Sequence, residues 1–206
     1  MQIDPSHTSK IDNYKLLTNL IVPRPIAWIT SQNQDGIVNL APFSFFNAVS
    51  GTPPYIIFSV GLNEAREPKD TARNIRVSRE FVVNLVTEDL FDAMNLSSAT
   101  FPPDESELEA AKLHTAPSVR IRIPRVKEAH VSLECKLFSE QTLGTNTLFI
   151  GEVVMFHVDD KLIGPKMHVE NFAPIGRLGS PSVYCRTTDR FDIARVNYAQ
   201  WKRENN

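Results

Sequence analysis

Apolar residues in this chain fall into short runs of strand length, several of them alternating with polar positions. Residues 25–31, 38–42, 55–60, 81–85, 129–140 and 147–158 are rich in Ile, Val, Phe and Thr, and several are bounded by Gly, Pro, Asn or Asp. Each run therefore predicts a β-strand. The sequence QNQDG at 32–36 separates the first two runs. Its Asp-Gly step supplies turn chemistry, because glycine takes positive φ without penalty, so these two strands are expected to be antiparallel neighbours. Proline at position 42 lacks a ladder donor, which predicts a bulge or strand end there.

Helical signals are sparser. Residues 68–78 start at a proline, 87–96 open on Thr87 as a cap candidate followed by the acidic Glu88 and Asp89, and 105–111 carry ELEAA. Strands do not alternate regularly with long helices, which disfavours a doubly wound parallel sheet and points to a mainly β, antiparallel barrel. The polar, Pro-containing stretch within 97–117 reads as a surface insertion, with Glu105, Glu107 and Glu109 on a solvated face. Residues 186–206 read as a peripheral segment ending in a helix, and 1–18 as an N-terminal extension to a domain spanning 19–185.

The totals narrow the function. The 206 residues are 42% hydrophobic and 22% charged, with a formal net charge of −2, which suits one folded domain and gives no cationic surplus for nucleic acid. No run approaches the roughly 18 apolar residues of a membrane span, and the N-terminal segment is too polar for a signal peptide, so a cytoplasmic location is expected. Cys135 and Cys185 are 50 residues apart and make neither a disulfide framework nor a CxxC motif. Both are expected to be reduced, and any electron transfer must use a bound cofactor.

Three regions carry candidate chemistry. In the first, Thr30 and Ser31 end a strand, and Ala41, Pro42, Phe43, Ser44, Phe45, Phe46 and Asn47 follow the turn. Hydroxyls and freed N–H groups suit a phosphate and the polar edge of a planar ring, and the phenylalanines suit its faces; ordinary turn and strand roles are the alternative. In the second, Lys69, Thr71, Arg73 and Asn74 lie near an expected helix start, where free N–H groups favour anions, although a solvated helix end accounts for them equally. The third is the Gly-rich loop 173–180 with Arg177, followed by Tyr184, which reads as a flexible lid or a dimer contact. Its GxxG does not follow a strand and open a helix, which excludes a dinucleotide fingerprint. No metal motif, GxSxG elbow or Walker loop occurs. His130 and His157 sit in expected strands and read as structural.

The motifs PRPIAWITS, NLAPFSFFNAVS, KDTARNI, REFVVNL, SELEAAKL, GTNTLFIGEV and PIGRLGS, in that order from Asn19 to Tyr184, together resemble the flavin-reductase-like FMN-binding split-barrel proteins. That set includes flavoredoxins and the reductase components of two-component flavin monooxygenases. The resemblance implies a Greek-key split β-barrel, a homodimer with FMN along its interface, NADH or NADPH as co-substrate, and a monooxygenase or other electron acceptor as partner. Carried onto this chain, it puts Thr30, Ser31, Lys69, Thr71, Arg73 and Asn74 around the phosphate. It lines the ribityl chain and ring with Ala41, Pro42, Phe43, Ser44, Phe45 and Asn47, with Trp28 close by. Arg177 and Tyr184 then reach the ring from the partner subunit or receive the nicotinamide. One departure stands out: the family often carries His near the start of the FIGEV strand, whereas this chain has Asn146, which hydrogen-bonds but supplies no proton near neutral pH. A flavoredoxin-type electron carrier without its own nicotinamide site is the alternative that this departure leaves open.

Overall fold

Along Asn146–Val158 every second side chain from Thr147 to Val153 is buried, the period of a strand with one face inward. In the computed structural model, which describes residues 1–102 and 104–205, that strand belongs to one seven-stranded antiparallel sheet. Its strands are β1 (Ala27–Gln32), β2 (Val38–Phe43), β3 (Phe46–Gly51), β4 (Pro54–Gly61), β5 (Glu80–Leu85), β6 (Val131–Leu143) and β7 (Asn146–Val158), in the spatial order β2-β1-β5-β6-β7-β4-β3. The two edge strands, β2 and β3, are therefore consecutive in the chain, joined only by Ser44 and Phe45. Where they part, the Phe43 and Phe58 rings meet at 5.8 Å and the Ser59 N–H donates to the Phe45 carbonyl at 2.9 Å. The sheet is thus curled into a barrel that stays open at this corner.

The barrel interior is aromatic and aliphatic. The Phe58 ring centre lies 5.2 Å from Phe81 and 5.3 Å from Phe149, all fully buried. Gly151 makes room for them: a Cβ there would stand 2.4 Å from Phe81 Cζ. A second apolar cluster, including Ile26, Trp28, Leu40, Met94 and Leu108, covers the opposite side of the β1–β2 hairpin. β1 is consequently buried on both faces, its polar Thr30 and Ser31 as fully as its apolar Ala27, Trp28 and Ile29. The hairpin turn is as expected: Asn33 Oδ1 accepts from the N–H groups of Asp35 and Ile37, and Gly36 has φ +86°.

Helices surround the barrel: α1 (Lys10–Leu20), α2 (Asp70–Ser78), α3 (Phe91–Leu96), α4 (Glu107–Ala110) and α5 (Tyr198–Glu204). Several expectations need correction. Of the two alternatives expected at Pro42, the strand end holds and the bulge does not: β2 stops at Phe43, and on this edge strand Pro42 pairs in register with Trp28, while the bulge falls between Ala48 and Ser50. Glu107 does not sit on a solvated face. It is buried, and its Oε2 accepts the Leu40 N–H at 2.9 Å, so the insertion seals the free edge of β2. Burial pushes the Glu107 carboxyl pKa up. The loop around Arg177 is no loose lid, since Gly176–Arg177 pairs with Tyr184–Cys185 and exchanges two 2.8 Å backbone bonds with Arg24. Thr87 occupies its helix-capping position without making a side-chain cap bond. Residue 103, within the insertion, and residue 206, at the end of the C-terminal segment, lie outside the described residues. Among those described, no helix is long and apolar enough to cross a membrane.

Both cysteines are free, Cys135 fully buried in β6. His157 lies in β7, whereas His130 falls just before β6 rather than within the strand expected to hold it. His130 Nδ1 lies 2.7 Å from Asp159, and His157 Nε2 lies 2.6 Å from the buried Glu134.

Candidate functional site

Ser44 stands between two clefts. One, of about 300 Å³, is lined by Arg24, Pro25, Phe45, Phe46 and Asn47, with Leu17 and Ile21 of the α1 region. The other, of about 250 Å³, is lined by Tyr14, Pro42, Asn95, Arg177 and Tyr184 among others. The corner exists because β2 must turn into β3 within two residues, and this turn leaves Phe45 partly exposed while Phe43 keeps its ring in the barrel core. Across the corner, Tyr14 of α1 meets Phe45 with ring centres 6.3 Å apart. Arg24 Nε donates to Ser44 Oγ at 3.4 Å, and Arg24 Nη1 also donates to the carbonyls of Thr18 and Ile21. On the far side, the Arg177 guanidinium carbon lies 4.4 Å from the Tyr184 ring centre, and Tyr184 in turn meets Phe91 edge-on.

Among the described residues, no carboxylate lines either cleft. Flat apolar side chains beside a hydroxyl, an amide and two guanidinium groups suit a planar heterocycle with carbonyl oxygens on its rim, which needs stacking surface and donors rather than acids. The donor set therefore fits a flavin ring.

The other end of β2 differs. Asn39 Nδ2 donates to Thr71 Oγ1 at 3.0 Å, and Asn74 Nδ2 donates to Ser31 Oγ at 3.3 Å, binding α2 to the β1–β2 hairpin. Thr30 Oγ1 donates to the Pro124 carbonyl at 2.7 Å. The structure thus brings Ser31, Thr71 and Asn74 together, with Thr30 on the same strand, but all four are buried and each is engaged within the protein. Lys69 and Arg73 are the members of this group at the surface, Arg73 donating to Asp70 and to the Pro68 carbonyl. From Asn39 to Ser44 is five residues of extended chain, about 17 Å, a span suited to a ligand with a ring at one end and a phosphate at the other.

Trp28 is placed differently from expectation: it is fully buried in the second core cluster, with its indole N–H donated to Ser97 at 2.8 Å. Ala41 faces the barrel core rather than a cleft. Asn146 Nδ2 donates to Ser59 Oγ at 3.0 Å, and Ser59 donates its N–H to Phe45, so Asn146 lies one residue removed from the corner. Arg24 and the residues of α1 are functional candidates missing from the sequence reading. Their signals are the Pro-Arg-Pro run and a capping pattern in which Ser9 Oγ accepts from the N–H of Asp12.

A family profile described as flavin reductase-like domain matches residues 19–189. The chain is similar to the crystal structure of nitrilotriacetate monooxygenase component B from Bacillus cereus, with 40% identity and a TM-score of 0.90, covering 94% of this chain and 98% of that one. It is similar to 2-nitrobenzoate 2-nitroreductase NbaA of Pseudomonas fluorescens, with 35% identity and a TM-score of 0.87, covering 96% and 98%. It also shares the fold of a protein from Shewanella frigidimarina described as having a split barrel domain, with 23% identity and a TM-score of 0.77 over 96% and 99% of the two chains.

Proposed function

Because this chain belongs to the flavin reductase-like family, we propose that it binds FMN and works as an NAD(P)H-dependent flavin reductase in the form of a homodimer. The observation that carries the reading is the carboxylate-free pair of clefts about Ser44, with stacking surface and donors on the same corner. The protein's part is to hold and orient, so no general base, triad or metal is required of it. A flavin bound there supplies the chemistry, accepting a hydride from the reduced nicotinamide. Ser44 and Asn47 would donate to its polar rim, with Arg24 holding Ser44 in place, while Phe45 and Pro25 would exclude water from its faces. Lys69 and Arg73, the exposed cations of the α2 start, would hold its phosphate through charge-assisted bonds.

Two observations support the wider reading. Apolar side chains of the α1 region remain more than half exposed, Ile11 at 66%, Leu17 at 52%, Leu20 at 74% and Ile21 at 61%, which suits burial against a second copy. Similarity to a monooxygenase component B supports a role in supplying reduced flavin to a monooxygenase. The flavoredoxin-type alternative, a carrier without nicotinamide activity, is favoured by one feature only: Asn146 spends its amide on Ser59 and offers no proton.

Titrating the purified protein with FMN, riboflavin and FAD and following flavin absorbance tests the reading. Saturating uptake of FMN in preference to riboflavin is expected. A protein that takes up none of the three overturns it.

A further inference from the structure

Arg24 and Arg177 lie on either side of Ser44 with no acid to balance them. Arg24 is only 6% exposed, and the two residues are fixed together by reciprocal backbone bonds of 2.8 Å. Among the described residues neither guanidinium forms an ion pair, whereas Arg73, Arg76, Arg122 and Arg186 each have a carboxylate. Burial, reinforced by the neighbouring Arg177 charge and opposed by Tyr14, holds the Arg24 pKa below the usual guanidinium range. Arg177 lines one cleft and Arg24 the other, and an anion beside Arg177 relieves the repulsion between the two charges. The Arg177 cleft adds the Asn95 amide as a donor, while the Ser98 and Ser182 hydroxyls in it donate to the carbonyls of Asn95 and Pro181. Arg177 is already flattened against Tyr184, with Nη2 donating to the Pro181 carbonyl at 2.7 Å, so its planar fork is pre-oriented.

We propose that Arg177, backed by Arg24, forms an oxyanion subsite beside Ser44 that takes the carboxylate or phosphate of the molecule exchanging electrons with the flavin. The inference rests on the flavin reading for its occupant, though not for its anion. The flavin's own phosphate has separate cations, Lys69 and Arg73, at the opposite end of β2. An anionic group at the ring end therefore belongs to a second molecule. A carboxylated aromatic acceptor and the pyrophosphate of a dinucleotide share this chemistry.

The test is calorimetric titration of the FMN-loaded protein with benzoate, inorganic pyrophosphate and, as the neutral control, benzamide. Wild type is compared with Arg177→Gln and Arg177→Lys, and FMN and riboflavin affinities are measured alongside. Saturable binding of benzoate or pyrophosphate but not benzamide is expected, and the tighter anion identifies the source. Arg177→Gln should weaken it about tenfold or more, with partial rescue by Arg177→Lys. Absence of anion binding, or binding unchanged in Arg177→Gln, overturns the proposal. So does a variant that loses FMN and keeps riboflavin, because the pair would then hold the flavin phosphate. If the protein takes up no FMN, the functional reading falls, and the same titration on flavin-free protein decides the anion subsite separately.

Discussion

Arg24 Nε lies 3.4 Å from Ser44 Oγ, and this contact joins the segment entering β1 to the corner where the two edge strands of the barrel meet. Prolines flank Arg24 on both sides, limiting its backbone, and its guanidinium also caps the carbonyls of Thr18 and Ile21 at the end of α1. One buried cation thus ties together three elements that line the clefts.

Arg73 provides a direct test of where a phosphate sits. Replacing it, Arg73→Ala, is expected to weaken FMN roughly ten- to hundredfold, the loss of one charge-assisted bond, and to leave riboflavin almost unaffected. Fluorescence titration with the two flavins checks this. Equal weakening of both would place the phosphate elsewhere.

Trp28 provides the opposite test. Its ring fills the second core cluster and its N–H is spent on Ser97, so Trp28→Phe should cost about 1–3 kcal/mol of stability while leaving flavin affinity in place. Thermal or urea unfolding beside a flavin titration separates the two effects. A selective loss of flavin would return Trp28 to the site.

Glu134 governs an acid-sensitive contact far from the clefts. Burial opposes its ionisation, but the His157 bond and the N–H groups of Val119 and Arg120 outweigh this and hold the carboxyl below its ordinary value of 4.5. A carboxyl with a lowered folded-state pKa stabilises the fold above its unfolded value, and that stability is lost as pH falls through the folded one. Glu134→Gln should therefore cost about 1–3 kcal/mol at neutral pH, with the gap closing below the ordinary carboxyl range. Urea melts across acid pH check it, and a pH-independent gap would argue against an ionised Glu134 carboxylate.

Six of the seven strands were legible in the sequence because each carries its burial as a run or an alternation of apolar residues. β3 was not: FNAVSG lies on an edge, its residues from Asn47 to Gly51 exposed, so no core imprinted a pattern on it. α1 was missed for a similar reason, since only Thr18 within it is buried. The site was legible in its residue types more than in its geometry. Ser44, Phe45 and Asn47 do meet at a cleft, but Thr30, Ser31, Thr71 and Asn74, chosen for their hydroxyl and amide groups, turn out to be engaged within the protein. A hydroxyl's partner is set by tertiary neighbours such as Asn39 and Pro124, which local sequence does not reveal. Glu107 was read as solvated because its neighbours are polar, yet its place against the Leu40 N–H depends on how the insertion folds back.

Anaerobic mixing of the FMN-loaded protein with NADH, and separately with NADPH, shows whether a flavin held in this barrel lies within reach of a reduced nicotinamide. Bleaching of the oxidised-flavin band at about 450 nm with at least one of the two is expected. A band that persists with both would overturn the reductase reading.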